Sequence, residues 1–204
     1  MDETIPVIIV SRIQMAHSWI LKATEELTEE ELCRSFEASS PPVGWHLWHI
    51  ARWADRLQAS LPRKAGPPLP QPNPSQSLWE AENLAVRWGL DPRTLGTFEE
   101  GSGMSFDAAA ALPRRIGRDS LLDYARRVFT MANAAVAGLV PEDLPQARKG
   151  IMGYEVVDGQ IRPIPEKKTT IAAELIFHIS HASRHLGMIE ALRGLLGRKG
   201  TATA

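Results

Sequence analysis

Five of the six histidines fall in two clusters, and imidazole is the side chain most used to bind divalent metals. His46 and His49 stand three apart in WHLWHI, while His178, His181 and His185 lie in HISHASRH. On a helix turning about 100° per residue, His181 and His185 are about 40° apart, and His178 and His181 about 60° apart. The three therefore share one stripe. Ile171, Leu175, Ala182, Met188, Ile189 and Leu192 belong to the same stripe, so it is expected to face the core. Burying several imidazoles costs free energy unless each is hydrogen-bonded or bound to an ion. A pair spaced i, i+4 lets one helix offer two nitrogens to one metal. A third nitrogen from a facing helix completes a three-histidine set, which leaves a position open for water or substrate.

The spacing also excludes some chemistries. His181 is followed by Ala182, so there is no HExxH. Glu174 and His178 are four apart, whereas di-iron bundles use Glu-x-x-His. No carboxylate stands where a facial triad would need one. His17 reads as a hydrogen-bonded core histidine, and His46 and His178 each flank a better candidate, so their roles stay open. Arg52 and Arg184 lie close to the histidines and are candidates for holding a substrate carboxylate; a surface charge or ion-pair partner is the plainer reading. Trp45, Trp48 and Trp53 could line a pocket, though aromatic residues at helical spacing are usually core. Nothing near Cys33 argues for a lowered thiol pKa.

Four long amphipathic helices must position these groups. Apolar residues Ile9, Ile13, Ala16, Ile20 and Ala23/Leu27 predict a first helix over Ile5 to Leu27. Thr28 with the acids after it signals a new N-terminus, and a short helix is expected near Glu29 to Phe36. A second long helix is predicted from Pro42 to Leu61. LPRKAGPPLPQPNP, with six prolines in fourteen residues, reads as an extended loop. A minor helix follows over Ser75 to Trp88, then a turn-rich stretch and a short helix over Asp107 to Leu112. Asp119 is the expected N-cap of a third long helix, Ser120 to Leu139, with apolar positions Leu121, Leu122, Ala125, Val128, Phe129, Ala132, Ala135, Val136 and Leu139. Alternation over Tyr154 to Ile161 around Asp158-Gly159 predicts one short hairpin, the only strand signal. Thr169 or Thr170 caps a last helix reaching Leu196, with Gly197 as its C′ residue. The expected fold is all-α: a four-helix bundle with long crossover connections and one short β-hairpin, forming a single domain over 1–204.

Composition sets the outer bounds. The 204 residues are 44% hydrophobic and 23% charged, ordinary for a protein with a packed core. A net charge of -1 gives no sign of a nucleic-acid or membrane partner. The single cysteine, Cys33, permits no intrachain disulfide and no cysteine-rich zinc site. No run of about 18 apolar residues occurs, and MDETIPVIIV lacks a basic segment of the signal-peptide kind, so the cytoplasm is the default expectation.

SHASRHLGMIEALRG resembles the C-terminal helix motif of the DinB/YfiT-like superfamily, in which His-x-x-x-His precedes Gly and a hydrophobic run. WHLWHIARWADRL resembles that superfamily's second-helix motif. SPPVGWHLWHIARWADR is similar to the DinB_2-type subgroup that also supplies the N-terminal domain of ergothioneine-biosynthesis enzymes. The turn-rich GLDPRTLGTFEEGSGMSF is similar to that subgroup's Gly-x-Gly loop. The resemblance spans most of the chain, with the helices in matching order. It implies one divalent metal, nickel or zinc first and iron or manganese next, held by His49, the histidine followed by Ile-Ala, and by His181 and His185. His46 and His178 then fall outside the ligand set. It further implies a homodimer and a metal-dependent enzyme on a small molecule, by transfer or isomerisation dependent on a low-molecular-weight thiol. Thiol transferase and hydrolase are both open. The competing readings are a non-catalytic metal-binding or ligand-sensing bundle, and a plain bundle with satisfied buried histidines.

Overall fold

The computed structural model describes residues 5–62, 76–149, 153–158, 160–164 and 168–200. Its helices are α1 (Ile5–Glu25), α2 (Glu29–Cys33), α3 (Val43–Ser60), α4 (Leu78–Ala81), α5 (Leu84–Arg87), α6 (Phe106–Ile116), α7 (Arg118–Ala137) and α8 (Ile171–Leu195). Strands β1 (Ala147–Lys149), β2 (Gly153–Val157), β3 (Gln160–Ile164) and β4 (Lys168–Thr170) lie between α7 and α8. Helices α1, α7, α3 and α8 close a ring in that order, each packed on the next. This is the expected all-α four-helix bundle, and its crossovers are long: α4 to α6 join α3 to α7, and the strands join α7 to α8.

Local chemistry explains the boundaries. Thr28 Oγ1 accepts from Glu31 N at 3.2 Å, and Glu31 returns a bond to Thr28 N at 2.9 Å, a complete capping box for α2. Pro42 caps α3, and Gly44 lets α6 approach: a Cβ there would lie 2.7 Å from the Pro113 ring. Thr170 Oγ1 accepts from Ala173 N and starts α8. At its other end Arg198 N donates to Arg193 O and Gly197 N to Gly194 O, with Gly197 at φ 74°, a Schellman ending.

Several expectations need correction. Helix α7 begins at Arg118 with Gly117 as its N-cap, so Asp119 sits in the first turn, where its charge complements the helix dipole. The segment expected as one minor helix is two short helices, because Asn83 adopts φ 49° between them. The helix predicted over Asp107–Leu112 extends to Ile116, capped by Ser105. The hairpin expected over Tyr154 to Ile161 is present as β2 paired with β3, Val157 opposite Gln160, with Asp158 at φ 53°; Gly159 lies outside the described residues. A second antiparallel pair, β1 with β4, carried no sequence signal because each strand is three residues long. Most of the Pro-rich stretch expected as an extended loop lies outside the described residues.

The core fills the ring. The predicted stripe of α1 is buried throughout, and on α7 Ala135 and Leu139 alone of the predicted set are only partly covered. Helix α3 is buried on nearly every face because α1, α2, α6, α7 and α8 all pack on it. Its polar residues must therefore find partners inside. Asp55, fully buried, accepts from Leu78 N (2.8 Å), Trp79 N (2.9 Å), Gln58 Nε2 (3.1 Å) and Tyr124 OH (2.9 Å), and so fixes the start of α4 onto α3.

Candidate metal centre

Helices α3 and α8 pack side by side and bring His49, His181 and His185 together, all buried, with one donor atom from each within 4.8 Å of the others. His181 Nε2 lies 3.2 Å from His49 Nε2 and 3.1 Å from His185 Nε2. Nitrogens about 2.0–2.1 Å from a tetrahedral ion are about 3.3 Å from one another, so these separations match the edges of a coordination polyhedron.

The proton inventory agrees. His49 Nδ1 faces the carbonyl of Glu100, an acceptor, so this nitrogen carries the proton and Nε2 presents a lone pair. His46 Nδ1 lies 2.9 Å from His185 Nδ1, close enough for one bond between them. If His185 is the donor, its Nε2 is bare too. His181 holds one proton at most on Nε2 while neutral and can satisfy only one of its two neighbours. A cation satisfies all three.

Burial pushes every one of these histidines below the usual imidazole pKa. His46 and His49 fall to about 4 and His181 to about 3, and His185 falls further, where the neighbouring His49, His181 and His46 add to the effect of burial. All four are neutral at pH 7, the form a metal ligand needs.

The residues around the triad are aromatic and rigid. Trp45 stacks on His49 with ring centres 4.8 Å apart, and Trp53 meets His181 edge-on at 4.7 Å. Trp48 is fully buried core. Behind His49 runs the loop of residues 96–103, in which Gly96, Phe98, Glu99, Gly101 and Gly103 all have positive φ. A Cβ on Gly101 would lie 2.9 Å from Trp45 and 3.0 Å from His49 Nδ1, so only glycine lets the backbone pass this close. Arg52 Nε holds Glu99 O at 2.9 Å, Arg56 pairs with the fully buried Glu100 carboxylate, and Thr97 N bonds Ser102 O at 2.8 Å. Burial raises the Glu100 pKa, with Arg56 opposing.

Other sequence candidates fall elsewhere. Arg52 is the ion-pair partner of the plainer reading and is not a surface charge: buried 3.5 Å from Asp55 and against Trp79 (4.4 Å to the ring centre), it clamps the loop. Arg184 is exposed. His178 does not join the triad; its Nε2 bonds His17 Nε2 at 2.9 Å, and His17 Nδ1 bonds Asn133 Oδ1 at 2.8 Å. His17 thus meets the expectation of a satisfied core histidine, stacked on Phe129 at 4.2 Å. Met188, expected on the buried stripe, is 42% exposed because it lies at the edge of the α8 contact. Cys33 is half-buried, and burial raises its pKa. The role of Glu100 was missed, since a backbone carbonyl leaves no trace in residue type; the glycines of GSG were the available signal.

A four-helix bundle with three convergent buried imidazoles on two adjacent helices defines a class of helical proteins able to hold one metal ion. This chain belongs to the DinB superfamily, whose family model matches residues 13–189. A crystal structure of a conserved protein from Enterococcus faecalis is similar over 96% of this chain and 99% of its own, with a TM-score of 0.65 at 18% identity, a likeness of fold. No curated protein matches the sequence. Among the described residues no helix is long and apolar enough to cross a membrane.

Proposed function

We propose that His49, His181 and His185 bind one divalent metal ion, nickel or zinc first and iron or manganese next, and that the protein is a metal-dependent enzyme on a small molecule. Thiol-dependent transfer or isomerisation is the reaction class. The observation that carries this is the donor count among the described residues. The Nδ1 of His46 is spent on His185, and His17 is spent on His178 and Asn133, so neither completes a fourth position. Three protein ligands leave room for a reacting molecule, whereas four would make a closed structural site. An ion so held lowers the pKa of a bound thiol or water and supplies a nucleophile at neutral pH. The chain's own part is to present three neutral imidazoles, orient His49 through the Glu100 carbonyl, and wall the site with Trp45 and Trp53. In this reading the protein works as a homodimer in the cytoplasm.

Elemental analysis of protein purified without a histidine tag tests the proposal. The expected result is one equivalent of divalent metal, lost in His181→Ala. Metal-free protein that cannot be loaded, or unchanged metal content in His181→Ala, overturns it.

A further inference from the structure

Resting on that metal site, we infer that its outer side takes an anionic ligand with an apolar body, whose charge is bound by Arg184. On α8, Phe177, Arg184 and Met188 all lie on one side of His181, within about 60° of it at 100° per residue. The surface opens on that side: His181 is 6% exposed, Phe177 40% and Met188 42%, and Arg184 is exposed. The Phe177 ring centre is 5.7 Å from His181 and 5.6 Å from Trp53, so the apolar wall runs from the ligand ring to the surface.

Charge decides what fits there. The three donors are neutral, so the protein gives a divalent ion no compensating charge from its ligands. Among the described residues, the carboxylates of the loop behind His49 are committed elsewhere: Glu100 pairs with Arg56, and Glu99 accepts from Trp79 Nε1 at 2.7 Å. Arg52 and Arg56 are likewise committed to the loop. Arg184 makes no hydrogen bond or ion pair with any other described residue, and it directly precedes the ligand His185 on α8. A free guanidinium beside an uncompensated dication favours an anion, carboxylate being the geometric match. The exposed faces of Phe177 and Met188 favour a hydrocarbon body next to it.

The test uses zinc-loaded full-length protein and two probes of one shape, phenylacetate and neutral phenylacetamide, titrated by calorimetry with metal content measured on the same sample. Phenylacetate is expected to bind about tenfold tighter or better, as one charged hydrogen bond supplies. Arg184→Gln should erase most of that preference at unchanged metal content, and Arg184→Lys should keep part of it. Phe177→Ala should weaken both probes alike. A metal-loaded protein with no anion preference, or a preference that survives in Arg184→Gln, overturns the inference alone. Protein that takes up no metal overturns the metal site and the inference with it.

Discussion

The Nδ1 of His46 lies 2.9 Å from the Nδ1 of His185, a contact between two neutral buried imidazoles on different helices. A hydrogen bond here needs one donor. With His185 Nε2 turned to a metal, the proton must sit on His185 Nδ1 and His46 must accept it. His46 then selects the ligating tautomer and fixes the ring's angle, as partners of metal-bound histidines do. His46→Ala should weaken metal affinity about 10- to 100-fold without removing a ligand. Competition against a chelator measures it, and wild-type affinity in the variant would disprove the tautomer link.

Gly101 and Gly103 separate contact from conformation in the loop behind His49. Both have positive φ, at 98° and 77°, but a Cβ on Gly103 meets nothing within 4 Å while one on Gly101 meets Trp45, His49 and Trp48 at 2.9–3.0 Å. Gly103→Ala should cost roughly 1 kcal/mol of stability from backbone strain alone. Gly101→Ala should cost more, by about 1–3 kcal/mol, because overpacking adds to the strain. It should also lower metal affinity by displacing His49. Equal effects of the two substitutions, in denaturant midpoint and in metal affinity, would show that the loop does not position the ligand.

The contrast between these residues shows what the sequence could carry. Spacing made two histidine clusters legible, His46 with His49 and His178 with His181 and His185, because a helix converts spacing into direction, and the family resemblance then singled out His49, His181 and His185, the three that the fold brings together. The four long helices were legible for the same reason of period: the buried stripe of α1 runs from Ile9 to Ala23 as spaced, with Leu27 buried just past its end. The ion pairing of Arg52 was legible, but its clamp was not, because that depends on α4 and the 96–103 loop folding over it, contacts 27 and 47 residues away along the chain. The pairing of His46 with His185 was hidden likewise, since it needs the relative rotation of α3 and α8 to within one ring width. β1 and β4 are too short for any period to show.

Acid should destabilise the metal-free protein well above the pH at which carboxylates titrate. In the folded chain His17, His46 and His49 titrate near 4 and His181 near 3, chiefly because of burial. In the unfolded chain each titrates near 6.5. Between about pH 6.5 and 4 the unfolded state therefore binds more protons, and stability falls as pH falls. Each histidine contributes at most about 1.4 kcal/mol per pH unit in that window. The urea midpoint should be steady from pH 8 to 7 and drop progressively at 6 and 5. A midpoint constant down to pH 5 would mean that these imidazoles are not neutral inside the folded core.

His17 and His178 supply the control that distinguishes burial from ligation. Each holds the other at 2.9 Å, and His178 lies one turn before His181 without entering the triad. His178→Ala strands the His17 Nε2 and opens a cavity, so it should cost about 2–4 kcal/mol. The metal content should stay at the wild-type level. His17→Phe alone should likewise destabilise, leaving His178 with no partner at either nitrogen. Combining His17→Phe with His178→Leu removes both polar groups and keeps most of the volume, so the double variant should recover part of the loss. Thermal denaturation of wild type, His17→Phe, His178→Leu and the double variant closes the cycle. Strictly additive losses would refute the hydrogen-bonded pair, and loss of metal from His178→Ala would move that residue into the ligand set.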